Sequence, residues 1–272
     1  MPLNSKEAIS LYEYLRLSGK SEGTAYNYAR YIDKFVEFIG KPPEKATRMD
    51  VMEFMRYIRE GLGFKDRSVA IVGWSLRAYY KMVGLDDMAR WVPIPQIGSE
   101  EEPEWLPEDV VMELIDRVAV LVVAYDLALR LGEVVLLKAD RYNKATGEIE
   151  VTRLKHKGRP NKYMLILDDW ARDVLNEYLD VHGIRTGRIF RMTTRTIQNI
   201  FKRRLKVIGL DPNRYRFHVL RHSRATHIAI RELREKGHVD VLSLAKFMGH
   251  ARIETTMRYV HLASKYLAFR PT

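Results

Sequence analysis

The chain contains no cysteine. That excludes disulfides, thiolate metal sites and cysteine nucleophiles together. Long apolar runs are missing as well: the longest, "VAVLVVAY" at 118–125, is far short of the roughly 20 residues a bilayer-crossing helix needs. The N-terminal "MPLNSKEAISLYEYLRLSG" lacks the uninterrupted apolar core of a signal peptide, so a cytoplasmic protein is expected. No G-x-x-x-x-G-K-[ST] loop and no H-E-x-x-H pair occurs, so neither nucleotide hydrolysis nor a bound metal or other cofactor is expected. Glutamine is scarce, at two residues, a feature also seen in heat-adapted proteins. Acidic residues are outnumbered, with 35 Asp and Glu against 46 Lys and Arg. The resulting +11 charge and pI near 9.6 suit a polyanionic partner, nucleic acid before membrane. No basic helix carries a clean lipid-facing side, so no membrane partner is expected.

What is present reads as two domains in 272 residues. Residues 1–91 carry helical periodicity in four segments: one capped by Ser5, "TAYNYARYIDKFVEFIG" ending at Gly40, one opened by a Thr47–Asp50 capping box, and one from Asp66 to Val83. Ala8, Ile9, Leu11, Tyr12 and Leu15 mark the apolar side of the first, and Val69, Val72, Trp74, Leu76, Tyr79 and Tyr80 that of the last. Residues 92–106 hold prolines and an acidic run, the texture of a linker. Residues 107–272 form a second domain, mostly helical. "PEDVVMELIDR" is one helix, and "AVLVVAYDLALRLG", apolar nearly all round, predicts a single buried one. "GEIEVTRL" and "YMLILDD" flank a basic tip, "KHKGRPNK", and predict a hairpin. Helices are then expected over 168–182, 194–208, 218–235, 239–248 and 252–263.

Within the second domain, "FHVLRHSRATH" places His218 and Arg221 one helical turn apart, a geometry suited to gripping a phosphate. Arg130 sits in an apolar stretch. It either pairs with Glu133 as a structural ion pair, or emerges beside a cleft with Glu133 orienting it. In "MGHARIETTMRYVH", Gly249 ends a helix, His250 lies in the break and Tyr259 follows nine residues later.

The order Arg130, hairpin lysine, His218-x-x-Arg221, Gly249-His250, Tyr259 resembles the tyrosine recombinases, the Xer, Cre and lambda-integrase superfamily. "ALRLGE" is similar to their first arginine box and "FHVLRHSRATH" to their second. "SEGTAYNYARYIDKFVEFIG" is similar to their SAM-like core-binding domain. The resemblance implies a mainly α fold with a small β-sheet: an all-helical SAM-like N-domain plus a mixed, mostly helical catalytic domain. It also implies a catalytic set in which Tyr259 attacks a DNA phosphodiester, leaving a 3′-phosphotyrosyl link and a free 5′-hydroxyl. Arg130 and Arg221 would hold the non-bridging oxygens, His218 would serve as base toward the tyrosine, and His250 would donate to the phosphate. A hairpin lysine would protonate the leaving oxygen: Lys155, which fits the end of the strand, is the expected one, with Lys157, which fits a match counted back from "NKYMLIL", as the alternative. Lys157, Arg159, Lys162, Lys202, Arg203, Arg204, Arg214 and Arg216 would contact double-stranded DNA, and the chain would assemble as dimer and tetramer on its site. The two domains would close around the duplex as a clamp. The apolar tail, Leu262, Tyr266, Leu267 and Phe269, would dock on a neighbouring protomer or fold back on its own domain. With no arm-binding domain preceding the core domain, a minimal Xer-like resolvase of dimers, compatible with an archaeal version, is expected over a phage-type integrase. A type IB-like topoisomerase and a catalytically idle DNA-binding protein of the same fold are the alternatives.

Overall fold

A computed structural model describes residues 2–97, 102–153 and 161–269. The chain divides into two compact units, Met1–Glu100 and Glu101–Thr272.

The described residues of the first unit form helices and the turns between them. Helix α1 (Lys6–Leu17) starts at Ser5, whose hydroxyl accepts from the Ala8 N–H. Asp33 of α2 (Glu22–Ile39) accepts from the Ser5 and Asn4 N–H groups at 2.7 and 2.9 Å, fixing that start against the second helix. Helix α2 stops at Gly40, whose φ of +63° costs a glycine nothing. The capping box at Thr47 and Asp50 opens α3 (Arg48–Arg56) with both reciprocal bonds in place. After α4 (Asp66–Met82) comes a fifth helix, α5 (Asp86–Trp91), where four were expected; six residues are too few for a periodic pattern to declare itself. Leu11, Ile32, Phe35, Phe54, Leu76 and Tyr80 form the core, whereas Ile9 and Trp74, assigned to apolar sides by spacing, are exposed.

The proline-rich segment is anchored at each end. Val92 is buried in the first unit's core and its carbonyl accepts from Arg77. Leu106 is buried in the second unit, where its N–H donates to Ser223 Oγ at 2.8 Å.

The second unit begins with α6 (Glu108–Ile115) and α7 (Ala119–Asp126), the latter buried at every residue. The single helix expected across 119–132 is broken. Ala128 adopts φ +48°, a left-handed conformation disfavoured by its Cβ, and α8 (Leu131–Val134) starts anew after Arg130. Strand β1 (Glu148–Arg153) pairs antiparallel with β2 (Asn161–Ile166), Glu148 opposite Ile166 and Arg153 opposite Asn161. Five helices follow: α9 (Asp169–Val181), α10 (Thr194–Val207), α11 (His218–Lys236), α12 (Val241–Met248) and α13 (Glu254–Phe269). The last runs six residues beyond the expected 263. Leu262, Tyr266 and Leu267 pack within the unit, Tyr266 against Trp105, while Phe269 is exposed. Among the described residues the architecture is mainly α with one two-stranded sheet.

Helix α11 is held from behind by ionic bonds. Arg224, nearly buried, donates to the Asp126 carboxylate at 2.8 Å and the Asp168 carboxylate at 2.6 Å, and to the Asp126 carbonyl. Asp126 also accepts from the Asp168 N–H, so one guanidinium ties α11 to the end of α7 and the start of α9. On the same helix, His227 bonds Tyr125 Oη through Nδ1 and the Leu106 carbonyl through Nε2. These bonds fix which side of α11 turns toward α13.

Candidate active site

The break after α7 is what presents Arg130. Its backbone N–H and its Nη1 both donate to the Glu133 carboxylate, at 2.8 and 3.0 Å. Glu133 is 2% exposed at its side chain and Arg130 is 28% exposed. Both sequence alternatives are therefore realised at once: an ion pair, oriented so that the guanidinium emerges. Arg221 lies deeper, 2% exposed, and donates Nη1 to the Ala128 carbonyl at 2.5 Å and Nη2 to the Met248 carbonyl. A guanidinium has five N–H donors, and these carbonyls use two. Burial first, then the neighbouring charge of Arg130, lowers its pKa to about 10, still cationic at neutral pH. The left-handed turn at Ala128 thus aims a carbonyl at one arginine and leads into the short helix whose N-cap is the other.

His250 follows Gly249, the left-handed cap of α12 at φ +61°. Its Nδ1 lies 2.8 Å from the buried Thr256 hydroxyl. Burial, then Arg221 and Arg130, pushes its pKa down to about 4, so the ring is neutral at pH 7. A neutral imidazole accepting the Thr256 hydroxyl at Nδ1 carries its proton on Nε2, ready to donate.

Tyr259 is 3% exposed. Its hydroxyl is 2.8 Å from His222 Nδ1, and its ring lies nearly parallel to that of His250, centroids 6.1 Å apart. Burial raises the phenol pKa, and the charges of Arg221, Arg258 and Arg130 act against that rise. His222 is driven to about 3, by burial first and His218 next, so it meets the tyrosine as a neutral ring. His218, exposed at the start of α11, sets its ring edge-on to His222 with centroids 5.2 Å apart.

Two arginines, two neutral imidazoles and a buried phenol thus converge, by contact or by mutual charge effect, from the α7–α8 break, α11, the α12–α13 turn and α13. A family profile described as "Phage integrase family" matches residues 108–265, the stretch that builds this cluster, and one described as "Phage integrase, N-terminal SAM-like domain" matches 9–89. The chain belongs to the phage integrase family. It is a tyrosine-type site-specific recombinase, Xer-like. It is 30% identical over 280 residues to the tyrosine recombinase XerA of Thermococcus kodakarensis, covering 96% of this chain and 93% of that relative. Its fold matches the crystal structure of the XerH site-specific recombinase bound to a palindromic difH substrate, at TM-score 0.72 and 15% identity over 96% of this chain and 82% of that one. A lambda integrase tetramer bound to a Holliday junction matches at TM-score 0.68 and 17% identity, over 93% of this chain and 76% of that one.

Of the recombinase's expected site residues, Arg130, Arg221, His250 and Tyr259 fall in one cluster, with Glu133 behind Arg130. His218 was expected on the tyrosine hydroxyl; the ring bonded there is His222, one turn further along α11. The signal for it was the "RH" step beside Arg221, four residues after His218 and hence on the same helical side. Thr256 and Arg153 were also missed. Lys155, Lys157 and Arg159 lie outside the described residues. Lys202 and Arg203 are exposed and line a shallow basic depression with Asn199 and Lys206. Arg204, grouped with them by sequence, is turned inward: it donates to the carbonyls of Glu113 and Leu114 that end α6. Arg214 and Arg216 are exposed, Arg214 beside Glu104; Lys162, on β2, pairs with Glu150. Among the described residues no helix is long and apolar enough to cross a membrane.

Proposed function

We propose that the recombinase cuts and rejoins double-stranded DNA by attack of Tyr259 Oη on a backbone phosphorus, giving a 3′-phosphotyrosyl link and a free 5′-hydroxyl. The observation that carries this is the buried tyrosine hydroxyl bonded to a neutral imidazole within the field of Arg130 and Arg221. An ordinary phenol titrates near 10 and is a weak nucleophile at pH 7. In the free chain the pair is set against proton transfer, with Tyr259 raised and His222 lowered. Attack on a phosphate gripped by the arginines changes that balance, because forming the O–P bond draws charge from the phenolic oxygen onto the non-bridging oxygens and makes the hydroxyl proton more acidic. The tyrosine proton then passes to His222 Nδ1, the acceptor already on it, with His218 behind it. Arg130, Arg221 and His250 Nε2–H stabilise the charge on the non-bridging oxygens in the transition state. A hairpin lysine, Lys155 or Lys157, protonates the departing 5′-oxygen. The phosphotyrosyl bond conserves the energy of the broken link, so rejoining needs no nucleotide cofactor.

The likeness to a recombinase bound to its site and to a tetramer on a Holliday junction supports strand exchange in a tetramer. We further propose that this exchange resolves DNA dimers and takes place in the cytoplasm. We likewise assign 1–91 as the core-binding domain, 92–106 as the linker and 107–272 as the catalytic domain. The discriminating experiment uses a supercoiled plasmid carrying two directly repeated sites. Resolution into two circles by the wild type and none by Tyr259→Phe supports recombination. Relaxation without resolution identifies a topoisomerase instead.

A further inference from the structure

Building on the assignment of His250 as a phosphate ligand, we propose that Arg153, which has no place in the catalytic set, is the positioning residue for the Gly249–His250 turn. Arg153 ends β1 and is 4% exposed. Its Nη1 donates to the Lys246 carbonyl at 3.3 Å and its Nη2 to the Phe247 carbonyl, across more than 90 residues of sequence. Its guanidinium lies over the Tyr163 ring at 4.5 Å. The next carbonyl, Met248, is taken by Arg221. Two guanidiniums from different elements therefore hold three successive carbonyls at the end of α12, where the helix dipole is negative and the carbonyls lack partners within the helix. The two residues that follow are Gly249 and His250, whose N–H groups turn back to the Lys246 and Ala245 carbonyls at 3.0 and 2.9 Å.

Two further features point the same way. A Cβ on Gly249 would overlap the Arg153 guanidinium and come within 2.8 Å of its Cδ. Glycine is thus required twice, by the left-handed turn and by the close approach of the arginine. Arg153 Nε is buried and has no hydrogen-bond partner among the described residues. A buried charged group with an unpaired donor is a costly way to gain stability alone. Its return is a rigid planar fork that a lysine cannot imitate, because one ammonium cannot bridge two carbonyls and stack on a ring. Held this way, the turn sets where the His250 ring stands relative to Arg221 and Tyr259.

The test compares wild type, Arg153→Met, Arg153→Lys, Gly249→Ala, His250→Ala and the Arg153→Met/His250→Ala double variant, all in the full chain. Single-turnover cleavage is followed on a nicked site duplex, with binding measured separately. Arg153→Met is expected to slow cleavage about 100-fold, the scale of a 1 Å misplacement at a reacting centre, with DNA affinity kept. Arg153→Lys should not restore the rate. The double variant should be no slower than His250→Ala alone, since a residue acting through another adds nothing once that other is gone. Imidazole NMR of the DNA-free chain supplies an activity-independent readout: His250 resonances shift in Arg153→Met and Gly249→Ala, while the exposed His238 stays put. Additive rate losses, or unmoved His250 resonances in correctly folded variants, overturn the proposal. Should Arg153→Met fail to fold, Arg153→Lys carries both comparisons. If wild type itself does not cleave, the functional assignment falls while the NMR comparison still decides the role of Arg153.

Discussion

Lowering the pH from 7 to 5 should destabilise the catalytic unit through two specific rings. His222 and His250 are held neutral in the fold, at about 3 and about 4 against the ordinary 6.5. Above pH 6.5 both are neutral folded or unfolded and contribute no pH dependence. Below 6.5 the unfolded chain gains protons that the folded site refuses, so stability falls with pH until the folded values are reached. Each ring then loses about 1.4 kcal/mol per pH unit, or about 2 kcal/mol at pH 5 and about 4 for the pair as a ceiling. Both rings are partly exposed, and solvent screening brings the pair to about 2 kcal/mol. Urea unfolding at the two pH values, for wild type and for His222→Asn/His250→Asn, reads this directly. Carboxylates that titrate in the same window are common to both proteins and cancel in the comparison. A smaller loss in the double variant, by about 2 kcal/mol, is expected. Equal losses in the two proteins refute the account of how the tyrosine's neighbours are kept neutral.

Arg224→Met should destabilise the second unit by about 3–5 kcal/mol, because it leaves buried Asp126 without its cation; denaturation that shows less than about 1 kcal/mol contradicts the role given to the ion pair. Lys155→Ala and Lys157→Ala should differ sharply in cleavage. The variant lacking the general acid should recover on a substrate whose 5′-bridging oxygen is replaced by sulfur, a leaving group that departs without a proton. Recovery of neither variant removes the lysine from the proposed chemistry.

Much of the helical frame was legible because helices longer than two turns leave both a periodic pattern and a cap. The Thr47–Asp50 box and Gly40 mark the boundaries that the structure has. The six-residue α5 was too short to show one. The break at Ala128 left no trace, because a left-handed alanine is tolerated for tertiary reasons: its carbonyl is wanted by Arg221, 93 residues away. Arg130, Arg221, His250 and Tyr259 could be picked out because each residue type suits one task and their order matched a family. His222 was passed over for His218, since spacing says which residues share a helix side but not which of two rings meets a partner on another helix. Arg204 shows the same gap: its basic neighbours Lys202, Arg203 and Lys206 face solvent, and only packing against α6 tells it apart. Arg153 carried no signal at all, its role arising from carbonyls in a distant turn.

The most direct measurement is covalent trapping on nicked duplexes, run on denaturing gels with wild type and Tyr259→Phe. An adduct in wild type alone, joined through the 3′-phosphate and leaving a free 5′-hydroxyl, is the predicted result. DNA binding by both proteins with an adduct in neither, or an adduct that survives Tyr259→Phe, would contradict the assignment of Tyr259 as the nucleophile.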